Sequence, residues 1–367
     1  MSKINNQLGG SGNESLKAPI SKPYNNKVLL STAARFSLVA LIIGYIYYSG
    51  RFNFSSALDL LADPSGYTLP IVLLVFTNYV ASCRLRLLLT VHGVCLSQFR
   101  AFRIWMTGLF FSLALPGALS GDLVKGYLIM KSRQNKVELA SVILLDRLLG
   151  LYMMVAVGGI MSGVMVFRSM TGLDVGMAPS LSALAVFSIT LLALATLGGM
   201  ALMSGRVRYS QPVTFIMRRV PFENKVNRLY EAAQTYRNHT LLLGSALGLS
   251  LISQSAAYLA IWLLAGQMGM SELGVGVFLW IISLSFIVNS IPLAPMGLGI
   301  GEAGFEALFG VAGFGGGAEL AFVYHVIVIF IALTLGGSLY FLGGAHSVGF
   351  EGGAMVEPDK EKGEGYG

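Results

Sequence analysis

Carboxylates and cations set inside or beside long apolar runs are the residues of this chain whose types could do chemistry. Asp146 and Arg147 lie within Leu144–Met154, and Asp122 and Lys125 follow Gly121, just beyond Pro116-Gly117. Glu302 follows Pro295, Gly297 and Gly299. A charge at membrane depth costs about 2.5–3.5 kcal/mol, so each needs a partner, a cavity or an interfacial position. Adjacent helical residues point in different directions, so Asp146 and Arg147 should reach different neighbours. Asp122 and Lys125, three apart, should share one helix face, where the freed backbone N–H groups and the cation suit an anion such as a lipid phosphate. No Lys or Arg occurs from Asn238 to Asp359, although Glu302, Glu306 and Glu319 all fall there. If these carboxylates are buried and ionised, counter-charges are expected from the first part of the chain, with Arg84, Arg86, Lys125 and Arg147 as candidates. The alternatives are a capping role for Asp122, an interfacial position for Asp146-Arg147, and helix N-termini for the three Glu residues, stabilised by the macrodipole and water.

Other patterns fail on context. Gly299, Gly301 and Gly304 fit a dinucleotide-binding glycine spacing, but they follow a proline-broken apolar segment and not a strand. There is no phosphate-binding P-loop sequence and no HExxH. Cys83 and Cys95 lack the spacing of a metal site, His92 has no second ligand pair nearby, and His325 reads as a satisfied core histidine. No cofactor or metal is expected. Gly244 and Gly248, four apart in an apolar segment, suggest a close helix crossing.

The elements that must position these residues are membrane helices. Of 367 residues 54% are hydrophobic and only 12% charged, against about 25% charged in soluble domains. Apolar length places segments at about 28–48, 68–90, 101–116, 137–167, 181–203, 240–267, 274–294, 298–312 and 319–342. The expected fold is an all-α, polytopic integral membrane protein with about seven to eight transmembrane helices and one or two re-entrant hairpins. Residues 28–345 form the membrane domain, between disordered tails at 1–27 and 346–367. Four clusters, at 3–27, 84–103, 125–147 and 206–237, hold 20 of the 25 Lys and Arg residues. The positive-inside rule wants all four on the cytoplasmic side. That requires 101–116 to re-enter, since a crossing would separate the second cluster from the third. The same bias accounts for the cationic excess without a nucleic-acid partner. The loop at 204–239 is expected to hold an interfacial helix.

Leu115 to Asp122 resembles Ala294 to Glu302: a helix stop, small residues, then a carboxylate opening the next segment. Short segments broken by Gly or Pro at matching places in two halves point to a transporter site. The sequence leaves open whether the halves are parallel or inverted, or whether the echo is coincidence in a chain with 45 Gly.

Three blocks carry a family resemblance: Phe110 to Tyr127, Leu145 to Leu151, and Pro292 to Glu302. In order and spacing they resemble the lysylphosphatidylglycerol synthase transmembrane-region family of flippase-like membrane proteins, over about residues 28–342. The resemblance implies an inner-membrane protein related to the part of those synthases assigned to moving lipid between leaflets. By position it carries the family motif onto Pro116, Gly117, Gly121, Asp122, Asp146, Arg147, Gly297, Gly299 and Glu302. Lys125 stands where Arg is common, and Gly301 where many members have a basic or large residue. The soluble aminoacyl-transfer domain has no counterpart here, so aminoacylation is not expected.

The expected function is translocation of a membrane lipid or polyprenyl-linked lipid, with a phosphate-bearing headgroup held between the halves. Arg84, Arg86, Lys125 and Arg147 would attract the phosphate, and Asp122 and Glu302 would balance charge or take a proton. Pro295 and the motif residues complete the candidate site. The rivals are a membrane-embedded lipid-phosphate-dependent transferase and an accessory subunit of envelope biosynthesis.

Overall fold

A computed structural model describes residue 48 and residues 66–114, 120–130, 136–172, 178–204, 234–270, 274–291 and 295–342. Both expected tails, most of the first apolar run, Pro116-Gly117 and most of the 204–239 loop lie outside the described residues. Those residues form ten α-helices and no strand. In chain order they are α1 (Thr68–Thr90), α2 (Gln98–Ala114), α3 (Ser120–Met130), α4 (Lys136–Met170) and α5 (Pro179–Met203). The second series is α6 (Thr240–Gln267), α7 (Val275–Asn289), α8 (Ile300–Val311), α9 (Gly317–Ile331) and α10 (Gly337–Leu342), with a π-helical turn at Ala332–Gly336 joining the last two. Five segments are long and apolar enough to cross a membrane: Thr68–Thr90, Leu139–Met170, Pro179–Ala201, Thr240–Gln267 and Gly317–Leu342. The chain is therefore an all-helical, multi-pass membrane protein.

The shorter helices come in two pairs. At 1.5 Å per residue, α2 and α3 are about 25 Å and 16 Å long, and α7 and α8 about 22 Å and 18 Å, short of a hydrocarbon core of roughly 30 Å. Each pair is an antiparallel hairpin. Gly108 and Gly121 bring α2 against α3: a Cβ on Gly121 would sit 2.6 Å from the Gly108 carbonyl oxygen. In the other hairpin, Phe286 meets Phe305 and Phe278 meets Phe309 edge-on.

A reciprocal contact relates the two halves. Thr77 Oγ1 donates to the Ser253 carbonyl (3.2 Å), and Ser253 Oγ donates to the Thr77 carbonyl (3.1 Å). Gln267 reaches the Gly66 carbonyl at one end, and Tyr236 donates to the Leu88 carbonyl at the other, so α1 and α6 run antiparallel. Burial pushes the Tyr236 phenol pKa up, so the hydroxyl stays a donor. Paired bonds that exchange partners mark a two-fold axis, here perpendicular to the helices, and it relates residue i to i+176. That register superposes α1 on α6 and α2 on α7, and pairs Gly93 with Gly269, both left-handed (φ 68° and 75°) just past their helices. The halves are thus inverted, which the sequence left open. The register also corrects the sequence echo. Pro116 matches Pro292 and not Pro295, and four extra residues in the second break bring Asp122 opposite Glu302.

The hairpins interlock across the axis. Gly158 of α4 lies against Ser283 of α7, and Gly336 of the π turn lies against the Met106 carbonyl of α2. One apolar core gathers Leu85, Leu88, Ile104, Ile129, Val142 and Leu145 of the first half, and another Ile261, Phe278, Ile282, Phe305, Phe309 and Ile327 of the second. Gly244 and Gly248 do not make the expected crossing: nothing lies within 4 Å of where their Cβ atoms would be among the described residues. Close approaches fall instead at Gly108 and Gly121 within the first hairpin, and at Gly158 and Gly336, where a hairpin helix meets a long helix.

Candidate functional site

Asp146 and Arg147 part company as their adjacency requires. Asp146 turns to α1, where Arg84 grips it with Nε at 2.7 Å from Oδ1 and Nη2 at 3.0 Å from Oδ2. Arg84 Nη1 donates to Ser250 Oγ of α6 at 2.8 Å, and Gly150 makes room for the guanidinium. The two side chains are only 7% and 5% exposed. This bidentate pair is enclosed and satisfied, so Arg84 and Asp146 clamp α1, α4 and α6 together. Arg86 sits on the exposed side of α1.

Arg147 turns instead to the hairpins. Its Nη1 donates to Asp122 Oδ2 of α3 at 2.8 Å, and its Nη2 donates to the Ser290 carbonyl at the end of α7 at 3.2 Å. Lys125 Nζ approaches Asp122 Oδ1 at 2.6 Å and lies 3.9 Å from the Trp105 ring centroid, which holds the ammonium by cation–π attraction. Trp105 is oriented by its Nε1–H bond to Asn78 of α1. Arg147 and Asp122 remain 26% and 22% exposed. Two cations share one carboxylate here, leaving a net positive charge at the place where the first hairpin meets the end of α7.

Glu302 opens α8 at the third helical position. Its Oε2 accepts the Gly299 N–H at 2.5 Å, and Gly297 and Gly299 (φ 82° and 81°) turn the backbone so that this N–H points inward. Its other oxygen lies 2.8 Å from Nδ1 of His325 on α9, whose Nε2 lies 3.2 Å from Asn289 Oδ1. The expectation of a Lys or Arg partner from the first half is overturned: the partner is His325, from the same half. Counting only permanent cations missed it. Glu306 accepts the Ala318 N–H across the α8–α9 turn.

The structure thus brings Gly121, Asp122, Lys125 and Arg147 together and links them through Ser290 and Asn289 to His325, Glu302, Gly299 and Gly297. Arg84 and Asp146 form a separate enclosed pair. Sequence reading missed Asn289 and Ser290, and for Asn289 the signal was a polar side chain two residues before the Ile291-Pro292 break. Among the described residues no group of three His, Cys, Asp or Glu gathers as a metal site.

Fold and site define a class: a multi-pass helical membrane protein with two inverted hairpins and charged pairs where they meet. The chain belongs to the family of the lysylphosphatidylglycerol synthase TM region, whose model matches residues 32–336. No curated protein and no solved structure matches it.

Proposed function

We propose that this protein moves a lipid or lipid-linked intermediate across the bilayer of the inner membrane, holding its phosphate between the hairpins at Arg147 and Lys125. The observation that carries the reading is the partly exposed Asp122–Lys125–Arg147 cluster, which keeps one net positive charge beside apolar helices. Phosphate oxygens suit a guanidinium and an ammonium held in fixed places. Arg84 leaves the expected set of phosphate contacts, because its guanidinium is occupied by Asp146 and Ser250.

The apolar part of the lipid has a place as well. A groove of about 490 Å³ opens between α4, α6 and α7, lined by Val157, Met161, Tyr258, Trp262, Phe278 and Leu279. Its rim residues Ile160, Leu259 and Val275 are exposed. Val157 is ten residues beyond Arg147, or about 15 Å along α4. A chain extending from a headgroup at Arg147 would reach this groove.

The test uses purified protein in vesicles carrying a fluorescent phospholipid or polyprenyl phosphate, with leaflet exchange read by quenching. Arg147→Gln and Asp122→Asn should slow exchange while leaving melting in detergent nearly unchanged. Unaltered exchange in both variants rejects the site, and equal loss of folding in both returns the residues to a structural role.

A further inference from the structure

Phosphate binding at Arg147 leaves the cluster at the second break unused. The Glu302 and His325 side chains are 4% and 2% exposed, and every polar atom of the two has a partner: Gly299 N–H, Asn289 Oδ1 and each other. Gly301 gives up its side chain to allow this, since a Cβ there would strike Asn289 and His325. Among the described residues no other charged side chain bonds to the pair. Neither α6 nor α7 carries a charged residue, and α6 contributes only the phenol of Tyr258. On α8, Glu306 faces the Ala318 amide; α9 adds Glu319 and Tyr324. On α4 and α3, Asp146 is held by Arg84, and Arg147 and Lys125 by Asp122. Lys136, Glu138 and Arg168 of α4, Arg86 of α1, and Arg100 and Arg103 of α2 complete the set.

Proton counting gives this arrangement a meaning. An amide oxygen only accepts, so His325 Nε2 carries hydrogen toward Asn289. One further proton then lies in the bond between Nδ1 and Oε1, and with it the pair is neutral overall, whichever atom holds it. Loss of that proton to solvent leaves one buried negative charge, and its return restores neutrality. The first half has Asp122 with Arg147 in the corresponding roles, and an Arg does not release its proton.

We infer that Glu302 and His325 form a proton-binding site, and that its occupancy is coupled to anion binding at Arg147. The link is the last turn of α7: Asn289 touches His325, and the next residue, Ser290, accepts the Arg147 guanidinium through its carbonyl. With the proton gone, the negative pair draws Arg147 toward α7; with the proton in place, Arg147 is released to the phosphate. The coupling rests on the proposed function; the proton site does not.

Two readouts separate them. Infrared difference spectra of the purified protein between the acid and alkaline limits of its stability should show carboxyl and imidazole changes that vanish in Glu302→Gln and in His325→Gln. No such change in the wild type, or the same change in both variants, overturns the site. Should either variant fail to fold, Asn289→Ala, which keeps both titrating groups, must shift the midpoint, and an unmoved midpoint counts against the cluster. In vesicles, wild-type lipid movement should vary about fivefold or more over the same range, the scale of ordinary coupling between sites, and His325→Gln should lose that dependence. A pH-independent wild-type rate overturns the coupling. An infrared titration with no lipid movement at any pH overturns the proposed function and supports the proton site.

Discussion

At the first break Asp122 meets Lys125 and Arg147 with about a quarter of the pair exposed, while at the second Glu302 meets His325 with almost none exposed. Both pairs join the start of a hairpin's second helix to the long helix that follows, 25 residues on in one half and 23 in the other. The same backbone device therefore holds permanent charge in an open setting and exchangeable charge in a closed one. The difference follows desolvation. A wet site tolerates fixed ions and leaves them available to a ligand, whereas an enclosed site is stable with a pair that can be neutral. A second contrast lies at the axis. Arg84 on α1 matches Ala260 on α6, so one half carries a buried ion pair where the other carries apolar packing.

The sharpest break of the comparison is topological. With Cys83 and Cys95 replaced by Ser, Thr90→Cys and Gly266→Cys, which are two-fold equivalents, should be labelled from opposite faces of sealed vesicles. Labelling of both from one face would reject the inversion. Next in size is the buried pair. Asp146→Leu strands Arg84 and should cost about 3–5 kcal/mol of stability in detergent unfolding, and adding Arg84→Met should recover most of it, because neutral packing replaces a broken pair. If the double variant is as unstable as the single, the first half needs its charge and the likeness to Ala260 fails.

Function should respond at Arg147. A charge-assisted bond from its guanidinium to the phosphate would be worth about 1.5–3 kcal/mol, so Arg147→Gln should slow lipid exchange at least tenfold. Arg147→Lys should keep part of it, because an ammonium cannot span Asp122 and the Ser290 carbonyl as a planar fork does. Packing gives the next contrast. Gly121→Ala meets the Gly108 carbonyl and should destabilise by about 1–3 kcal/mol. Gly244→Ala, with open space around it, should change stability least, by about 0.5 kcal/mol or less.

The long helices were legible because apolar length is a one-dimensional signal. Residues 68–90 and 240–267 coincide with α1 and α6, and the breaks around Gly121 and Gly299 fall where small residues and prolines place them. Asp146 and Arg147 were legible in direction, since adjacency alone sends them apart. Their partners were not: Arg84 lies 62 residues from Asp146 and is fixed by tertiary packing. His325 was read as core because a single histidine in an apolar helix has no periodic signature, and only the fold shows that Glu302 and Asn289 converge on it. The internal echo was found but misregistered, because a short Pro-Met-Gly likeness outweighed a match that needs four extra residues. The count of seven to eight spans also includes the run at 28–48, most of which lies outside the described residues.

The π turn at Ala332–Gly336 has a bearing on chain length. A π turn closes its hydrogen bonds one residue later than an α turn, so the segment holds one residue more than a regular helix covering the same distance. Everything beyond it is rotated by that residue, and this rotation sets Tyr340 and Phe341 around Phe110 of α2. Removing one residue between Ala332 and Gly336 would leave a regular helix of nearly the same length, with its aromatic end turned about 100° away from α2. The spare residue is thus a spacer in angle and not in height, and the seam between the first hairpin and the last long helix depends on it.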